Sequence, residues 1–255
     1  MNFATTAQMY RWLLAHILAG GEKVHVRGLN TLECLGVSFS IDQPGMLTSA
    51  SRSPNIRFMI AEGLWIIDGN DDLESLTRYN QNMEKFSDDG LSLAGAYGPR
   101  IMPSMSYIYD QLGKPGSRQA VVAIWTNCPW PSKDIPCTLT LQFMIRKGRV
   151  HTFANMRSSD AWLGIPYDAF SFAMIGNEIA DATGFKRGPL HMHLASSHLY
   201  SQDWERAIQC VEANDMKQFP MLSAKNYRFV LGISKSSHHC MERINECLTS
   251  PDTVT

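Results

Sequence analysis

The 255-residue sequence has no C-x-x-C pair among its six cysteines, no unbroken apolar run near the roughly 20 residues of a membrane span, and no excess of either charge. The cysteines, at 34, 128, 137, 210, 240 and 247, have neither the density nor the spacing of a disulfide framework, which points to a reducing cytoplasm. Lys and Arg total 23 against 24 Asp and Glu, a net charge of −1. Such a balance provides no bulk attraction to nucleic acid or an anionic membrane, so any anion must be met by a local site. The opening "MNFATTAQMYRWLLAHILAGG" lacks a basic leader and a small-residue cleavage site, and its apolar residues fall at helical spacing, as in an unprocessed cytosolic chain. With 44% apolar and 18% charged residues, the composition is that of one globular domain over 1–255. The polar end, from about residue 248, is expected to be loosely held.

The patterning that is present is mixed α/β. A first helix is expected from Thr5 or Thr6, with Met9, Tyr10, Leu13, Leu14, Ile17 and Leu18 on one stripe and a stop at Gly20-Gly21. "LGVSFSI" alternates as a half-buried strand ending at the turn signal "DQPG", and "VHVRGLNT" before it reads as a turn bearing Arg27. "NIRFMIAEGLWIIDG" is apolar nearly all round, as a buried helix would be, with Glu62 in its middle. Residues 70–103 are polar and irregular, and a short helix "SMSYIYDQLG" follows. "QAVVAIW", "CTLTLQFMI" and "RVHTFANM" read as strands, the last two joined at Lys147-Gly148, and "GIPYDAFSFAMIGNEIADATG" as a long helix closed by Gly184. "PLHMHLASSHLY" predicts a further strand, "SQDWERAIQCVEAND" a helix, and "YRFVLGI" a final strand.

Few residues carry chemistry on their own. Cys137 follows a proline at the mouth of a strand, and Arg157 lies one strand away across the expected hairpin. A nearby cation can lower a thiol pKa, so the residue reads either as a nucleophile or as one of the packed thiols that make cysteine among the most buried residue types. His191 and His193 alternate on a strand and "HHC" occupies 238–240, but neither comes with third and fourth ligands at recognisable spacing, so no metal is expected.

Taken together, "PCTLTLQF", "NMRSSDAWLGIPYDAFSF" and "SSHLYS" occur in an order and spacing that resembles thymidylate synthase and its relatives, folate-dependent enzymes that modify C5 of pyrimidine nucleotides. Upstream, "VRGLNTLECLG", "AEGLWIIDGN", "AGAYG" and "SRQAVVAIW" extend the resemblance less closely, over roughly residues 10–205. It implies an α/β (α+β) fold with a large mixed sheet flanked by helices, one sheet face used for homodimerisation, and 5,10-methylenetetrahydrofolate as one-carbon co-substrate. By this resemblance Cys137 matches the nucleophile that adds to C6 of the base, and Glu62 the buried carboxyl that orders water and moves protons. Arg27, Arg157 and Ser158 match phosphate ligands, and Arg118 the arginine that the family reaches across from the second subunit. Gln119 replaces the family's usual second arginine there. His198 and Tyr200 match the residues that hold the sugar hydroxyl, and Asp160 the acid that orders the folate pterin. With Asp160, the resemblance also implies Leu163 and Gly164 of the same segment, and Met83, as residues of the folate side.

Two departures from the uracil-modifying pattern matter. Where the family reads Gly-x-Pro-Phe-Asn, this sequence reads "GIPYD", placing Asp168 where an asparagine amide would match N3-H and O4 of uracil. A carboxyl that shares a proton with N3 and accepts from the N4 amino group suits cytosine, as in the deoxycytidylate and cytidylate hydroxymethylases that the sequence also resembles. Counting back about fourteen residues from Tyr97, where the methylating family carries a water-excluding tryptophan, reaches Met83. The expected activity is therefore C5 hydroxymethylation of a cytidine 5'-monophosphate, ribose or deoxyribose, with water trapping the intermediate. Methylation by hydride transfer is one alternative, and a nucleotide- or RNA-binding homologue without turnover the other.

Overall fold

The computed structural model describes residues 1–26, 28–127 and 131–249. A short strand, β1 (Asn2–Thr5), leads into α1 (Thr6–Gly20), whose N-cap is Thr5 accepting from the Gln8 N–H. Met9, Tyr10, Leu13, Leu14 and Ile17 form its buried stripe. β2 (Glu22–Val26) and β3 (Leu29–Gln43) form an antiparallel hairpin, so "VHVRGLNT" is strand, turn and strand rather than turn alone. Arg27 lies outside the described residues. β4 (Gly45–Thr48) precedes α2 (Ile56–Ile67), which is apolar on most sides and buried as expected.

The stretch expected to be irregular holds α3 (Leu73–Thr77), a 3-10 turn over Gln81–Phe86 and α4 (Gly98–Ile101), followed by α5 (Met105–Leu112). The first two are short elements capped by Asp72 and Asn80, polar residues whose cap role hides a helix from a search for apolar periodicity. Next come β5 (Val121–Ala123), β6 (Thr138–Arg146), β7 (Arg149–Met156) and β8 (Ser159–Asp160). The β6–β7 turn uses Lys147 and Gly148 at φ 51° and 71°, both left-handed, as a tight two-residue hairpin requires. α6 (Ile165–Thr183) ends on Gly184 in the left-handed conformation and leads into β9 (Lys186–Tyr200), then α7 (Trp204–Ala213) and β10 (Lys217–Pro220).

The main sheet runs β1-β3-β9-β7-β6-β5, with β2 paired to β3 and β8 to β9. β1 is parallel to β3, and β7 and β8 are parallel to β9, while the other pairings are antiparallel. The sheet is therefore mixed. α1, α2 and α6 cover one face, and the strand residues directed at them, such as Val37, Phe39, Ile41, Leu141 and Phe143, form the core with those helices. Two close approaches hold the helices in place. A Cβ on Gly176 of α6 would stand 2.1 Å from Thr152 Oγ1 on β7, and one on Gly63 of α2 would stand 2.6 Å from Met174 Cε on α6. Glu62 is the neighbour of Gly63, so the crossing that needs this glycine brings Glu62 toward α6.

The C-terminal region departs from expectation. "YRFVLGI" is helical, within α8 (Ala224–Ile233), and α9 (Ser237–Thr249) continues through Leu248 and Thr249, which are therefore not a loose tail. Residues 250–255 lie outside the described residues. The strand expectation rested on the β-propensity of Tyr, Phe, Val and Ile, which tertiary packing overrides. Ser223 caps α8 by accepting from the Asn226 N–H, and Ala224, Tyr227 and Val230, three residues apart, are its buried face. With Cys240, Ile244 and Cys247 of α9 they close a second core cluster over Met59, Ile60 and Phe170.

This placement separates two neighbouring aromatics that a strand would put on one face. Tyr227 is fully buried and accepts from the Leu222 N–H, whereas Phe229 is 44% exposed. Chemical denaturation is expected to show Tyr227→Ala losing about 3–5 kcal/mol and Phe229→Ala no more than about 0.5 kcal/mol. Similar losses at both positions would contradict the helix.

Candidate active site

A cleft of about 950 Å³ opens where the C-terminal ends of β7, β8 and β9 meet α2 and the start of α6. Its lining includes Cys137, Glu62, Asp168, Arg157, Ser158, Asp160, His198, Tyr200, Met83, Leu163 and Gly164. Thus the described residues that the resemblance assigns to the site meet in one place, Arg118 excepted.

Cys137 is half-buried and sits immediately before β6. Just beyond it the β6–β7 register shifts between Thr138 and Thr140, a bulge of the kind that re-aims side chains at the rim of a sheet. Arg157 clamps the segment. Its backbone N–H donates to Cys137 O at 2.9 Å, Nε to Pro136 O at 3.0 Å and Nη2 to Ile135 O at 2.9 Å. The guanidinium also lies 5.7 Å from the Trp125 ring centroid. A cation is thus fixed beside the cysteine, and the guanidinium donors not used on carbonyls are the ones suited to a phosphate.

The carboxyls behave unlike surface acids. Glu62 lies in the middle of α2, and loss of hydration, reinforced by the charge of Asp168, pushes its pKa up to about 8. Asp168 lies in the first turn of α6, where the helix dipole favours an anion, yet burial and then the charge of Asp160 raise it to about 7. Gly164 leaves room for that carboxyl, since a Cβ there would be 3.3 Å from Asp168 Oδ2. Neither Glu62 nor Asp168 forms an ion pair among the described residues. Asp160 Oδ1 accepts from the N–H groups of Trp162 and Leu163 at 2.7 and 2.9 Å, and its pKa is still raised because burial outweighs those bonds. Near neutral pH the cleft therefore holds carboxyls able to give and take protons.

On the far wall, Ser158 Oγ and His198 Nδ1 are 3.4 Å apart, and the His198 and Tyr200 rings meet edge to face at 5.2 Å. Met83 lines the main cleft and also a smaller chamber of about 150 Å³, shared with Cys137, Glu62 and Asp168. Leu163 is 55% exposed at the rim. Arg118 is exposed and outside the cleft, its carbonyl accepting from Gln142 Nε2 at 2.7 Å, so this chain does not bring it to its own site.

Several cleft residues were missed from sequence. Arg52 is buried, donates from Nη2 to Trp162 O at 2.5 Å and stacks 4.5 Å from the Trp162 centroid, with Arg206 at 5.0 Å. Nothing in "TSASRSPN" marks it. Asp134 lines both cavities, accepting from the Gly95 N–H at 2.7 Å. Glu33 and Ser196 were also overlooked. Glu33 carried no periodic signal, because Gly36, left-handed at φ 66°, breaks the alternation of β3, so that Leu32 is buried before it and Val37, Phe39 and Ile41 after it. Among the described residues, no group of three or more His, Cys, Asp or Glu is arranged to hold a metal, and no helix is long and apolar enough to cross a membrane.

Residues 8–235 match the thymidylate synthase family model. The chain belongs to the thymidylate synthase family. Members of this family transfer a one-carbon unit from methylenetetrahydrofolate, and the cleft described above coincides with the motifs by which the chain resembles them. The chain is also 30% identical over 224 residues to a Bacillus phage SP01 protein named deoxyuridylate hydroxymethyltransferase. That similarity covers 79% of this chain and 58% of the phage protein.

The raised Glu62 pKa makes stability depend on pH. A carboxyl that prefers its proton in the fold costs nothing below its unfolded pKa of about 4.5 and costs progressively more up to about 8. Glu62→Gln removes the cost. In thermal or urea unfolding the variant is expected to match the parent at pH 4.5 and to exceed it by about 2–4 kcal/mol at pH 8.5, allowing for water in the cleft. A gain independent of pH would mean that Glu62 is not held protonated.

Proposed function

We propose that the protein hydroxymethylates C5 of a cytidine 5'-monophosphate, using methylenetetrahydrofolate as the one-carbon donor. The observation that carries this reading is the Asp168 carboxyl, raised to about 7 in a cleft shared with Cys137 and Glu62. A protonated carboxyl donates its O–H to cytosine N3 while its carbonyl oxygen accepts from the N4 amino group. Uracil offers a donor at N3 and an acceptor at C4, and its O4 repels the carboxyl whenever that group is ionised, whereas cytosine keeps a proton shared between N3 and the carboxyl. The name of the phage relative supports hydroxymethyl transfer, whereas its uracil base is the competing assignment that the test below decides.

The chain's own groups divide the work. Cys137 adds to C6, which turns C5 into a carbon nucleophile. Bound beside the base, methylenetetrahydrofolate supplies the carbon at the oxidation level of formaldehyde. Asp160, Leu163, Gly164 and Met83 are the residues that would face it, on a rim whose apolar and hydrogen-bonding groups suit a pterin. Glu62, with a pKa near 8, can move protons at the base, so that the C5 proton is lost as tetrahydrofolate leaves, and can hold the water that then adds to the exocyclic methylene at C5. Departure of Cys137 from C6 then restores the ring. Met83, in place of a water-excluding tryptophan, favours water over hydride as the final nucleophile. Arg157 and Ser158, with Arg27, bind the phosphate, and His198 and Tyr200 the sugar. In a homodimer formed through the exposed sheet face, each protomer lends Arg118 to the other's phosphate.

Three measurements test this. Cys137→Ser is expected to abolish release of tritium from cytidylate labelled at C5 while leaving nucleotide binding within about threefold, since the thiol acts in the covalent step. Near-normal release would remove the mechanism. For Asp168→Asn, kcat/KM is expected to shift toward uridylate by about 30- to 3,000-fold relative to cytidylate, the worth of two reversed hydrogen bonds in a dry pocket. A parent enzyme that already prefers uracil would overturn the base assignment. The parent's kcat/KM for cytidylate should also fall as pH rises above about 7, as Asp168 loses its proton.

A further inference from the structure

The sugar side of the cleft is built on an antiparallel pairing in which Glu33 of β3 lies opposite His198 of β9, Thr31 opposite Tyr200 and Leu35 opposite Ser196. Residues paired in this way project from the same face of a sheet. Gly36, left-handed at φ 66°, breaks the alternation of β3, and on the N-terminal side of that break this face opens onto the cleft, which Thr31, Glu33, Ser196, His198 and Tyr200 line together. Glu33 is half-buried, and its carboxylate makes one hydrogen bond among the described residues, accepting from Ser196 Oγ.

A carboxylate is a pure acceptor with roughly four lone-pair sites, so one serine hydroxyl leaves most of its capacity unused. The complement of that capacity is a ligand carrying hydroxyl donors. On the proposed reading His198 and Tyr200 face the sugar, which puts Glu33, directly across from His198, against the same ring. A deoxyribose bears one hydroxyl there and a ribose a vicinal pair. A carboxylate that receives the 2'-hydroxyl is a recurrent way for a protein to select ribose.

We infer that Glu33 accepts a hydrogen bond from the 2'-hydroxyl of the bound nucleotide and that the substrate is accordingly a ribonucleotide. A deoxyribonucleotide would cover the same carboxylate with a methylene, excluding water without supplying a donor. The inference rests on the nucleotide reading above but not on the identity of the base, because each base can be compared across its two sugars.

The test uses CMP, dCMP, UMP and dUMP, with kcat/KM measured in the presence of methylenetetrahydrofolate and dissociation constants by calorimetry in its absence. For each base the parent enzyme is expected to favour the ribonucleotide by about 10- to 100-fold, the worth of a hydrogen bond to a charged group. Glu33→Ala should bring that ratio to within about threefold of unity by loss on the ribonucleotide alone. The isosteric Glu33→Gln, which guards against a folding defect, should fall between. A parent preference for deoxyribose, or variants that weaken all four nucleotides equally, would overturn the role of Glu33 and leave the proposed function standing. Absence of binding by all four would overturn that function and the present inference together.

Discussion

Loss of hydration around two carboxyls is the constraint on which this site depends. Glu62 comes from the middle of an apolar helix and Asp168 from the first turn of another, and the two helices can approach because Gly63 presents no Cβ to Met174. Burial raises each pKa, and the like charge of a neighbouring acid raises it further. The cost to the fold is substantial. In return, two groups that would be inert carboxylates on a surface become proton donors and acceptors near neutral pH, beside a cysteine held by an arginine clamp.

The sheet supplies the geometry. β7 is shared between an antiparallel neighbour, β6, and a parallel one, β9, so Arg157 at its end meets the Cys137 segment on one side and the strand of His198 on the other. On the proposed reading, one cation thereby orients the nucleophile and retains donors for a phosphate. On the same reading, a ligand anchored there would extend past His198 and Tyr200 toward Asp168, with Met83 across the opening. The resulting order of phosphate, sugar and base along the cleft is why a single change at Asp168 or Glu33 is expected to alter what is recognised rather than whether anything binds.

Much of this was legible in the sequence, for physical reasons that can be named. α1, α2 and α6 announced themselves by cap residues and long apolar stripes, and the β6–β7 hairpin by Lys147-Gly148 between alternating runs. Cys137, Glu62, Asp168 and the residues around them were found through short motifs and then met in one cleft. α8 was misread because its apolar residues have high strand propensity, and only the packing of Tyr227 and Val230 against a distant helix decides for helix. Arg52 and Asp134 were hidden because a polar residue in a loop carries no periodic signal. Glu33 was hidden for a different reason, since it lies within a strand whose alternation is broken by the left-handed Gly36.

The most direct test of the central claim is to stop the reaction at the covalent stage. With fluorine in place of hydrogen at C5, addition of Cys137 to C6 and transfer of the one-carbon unit to C5 can proceed. The next step cannot, because fluorine does not leave as a cation. Incubating the protein with methylenetetrahydrofolate and 5-fluorocytidine or 5-fluorouridine monophosphate, in ribo and deoxy forms, followed by peptide mass spectrometry, locates any such adduct. The account predicts nucleotide and folate together on the peptide containing Cys137, accumulating faster with the fluorocytosine nucleotides. No adduct from any of them, or an adduct on a different cysteine, would contradict it.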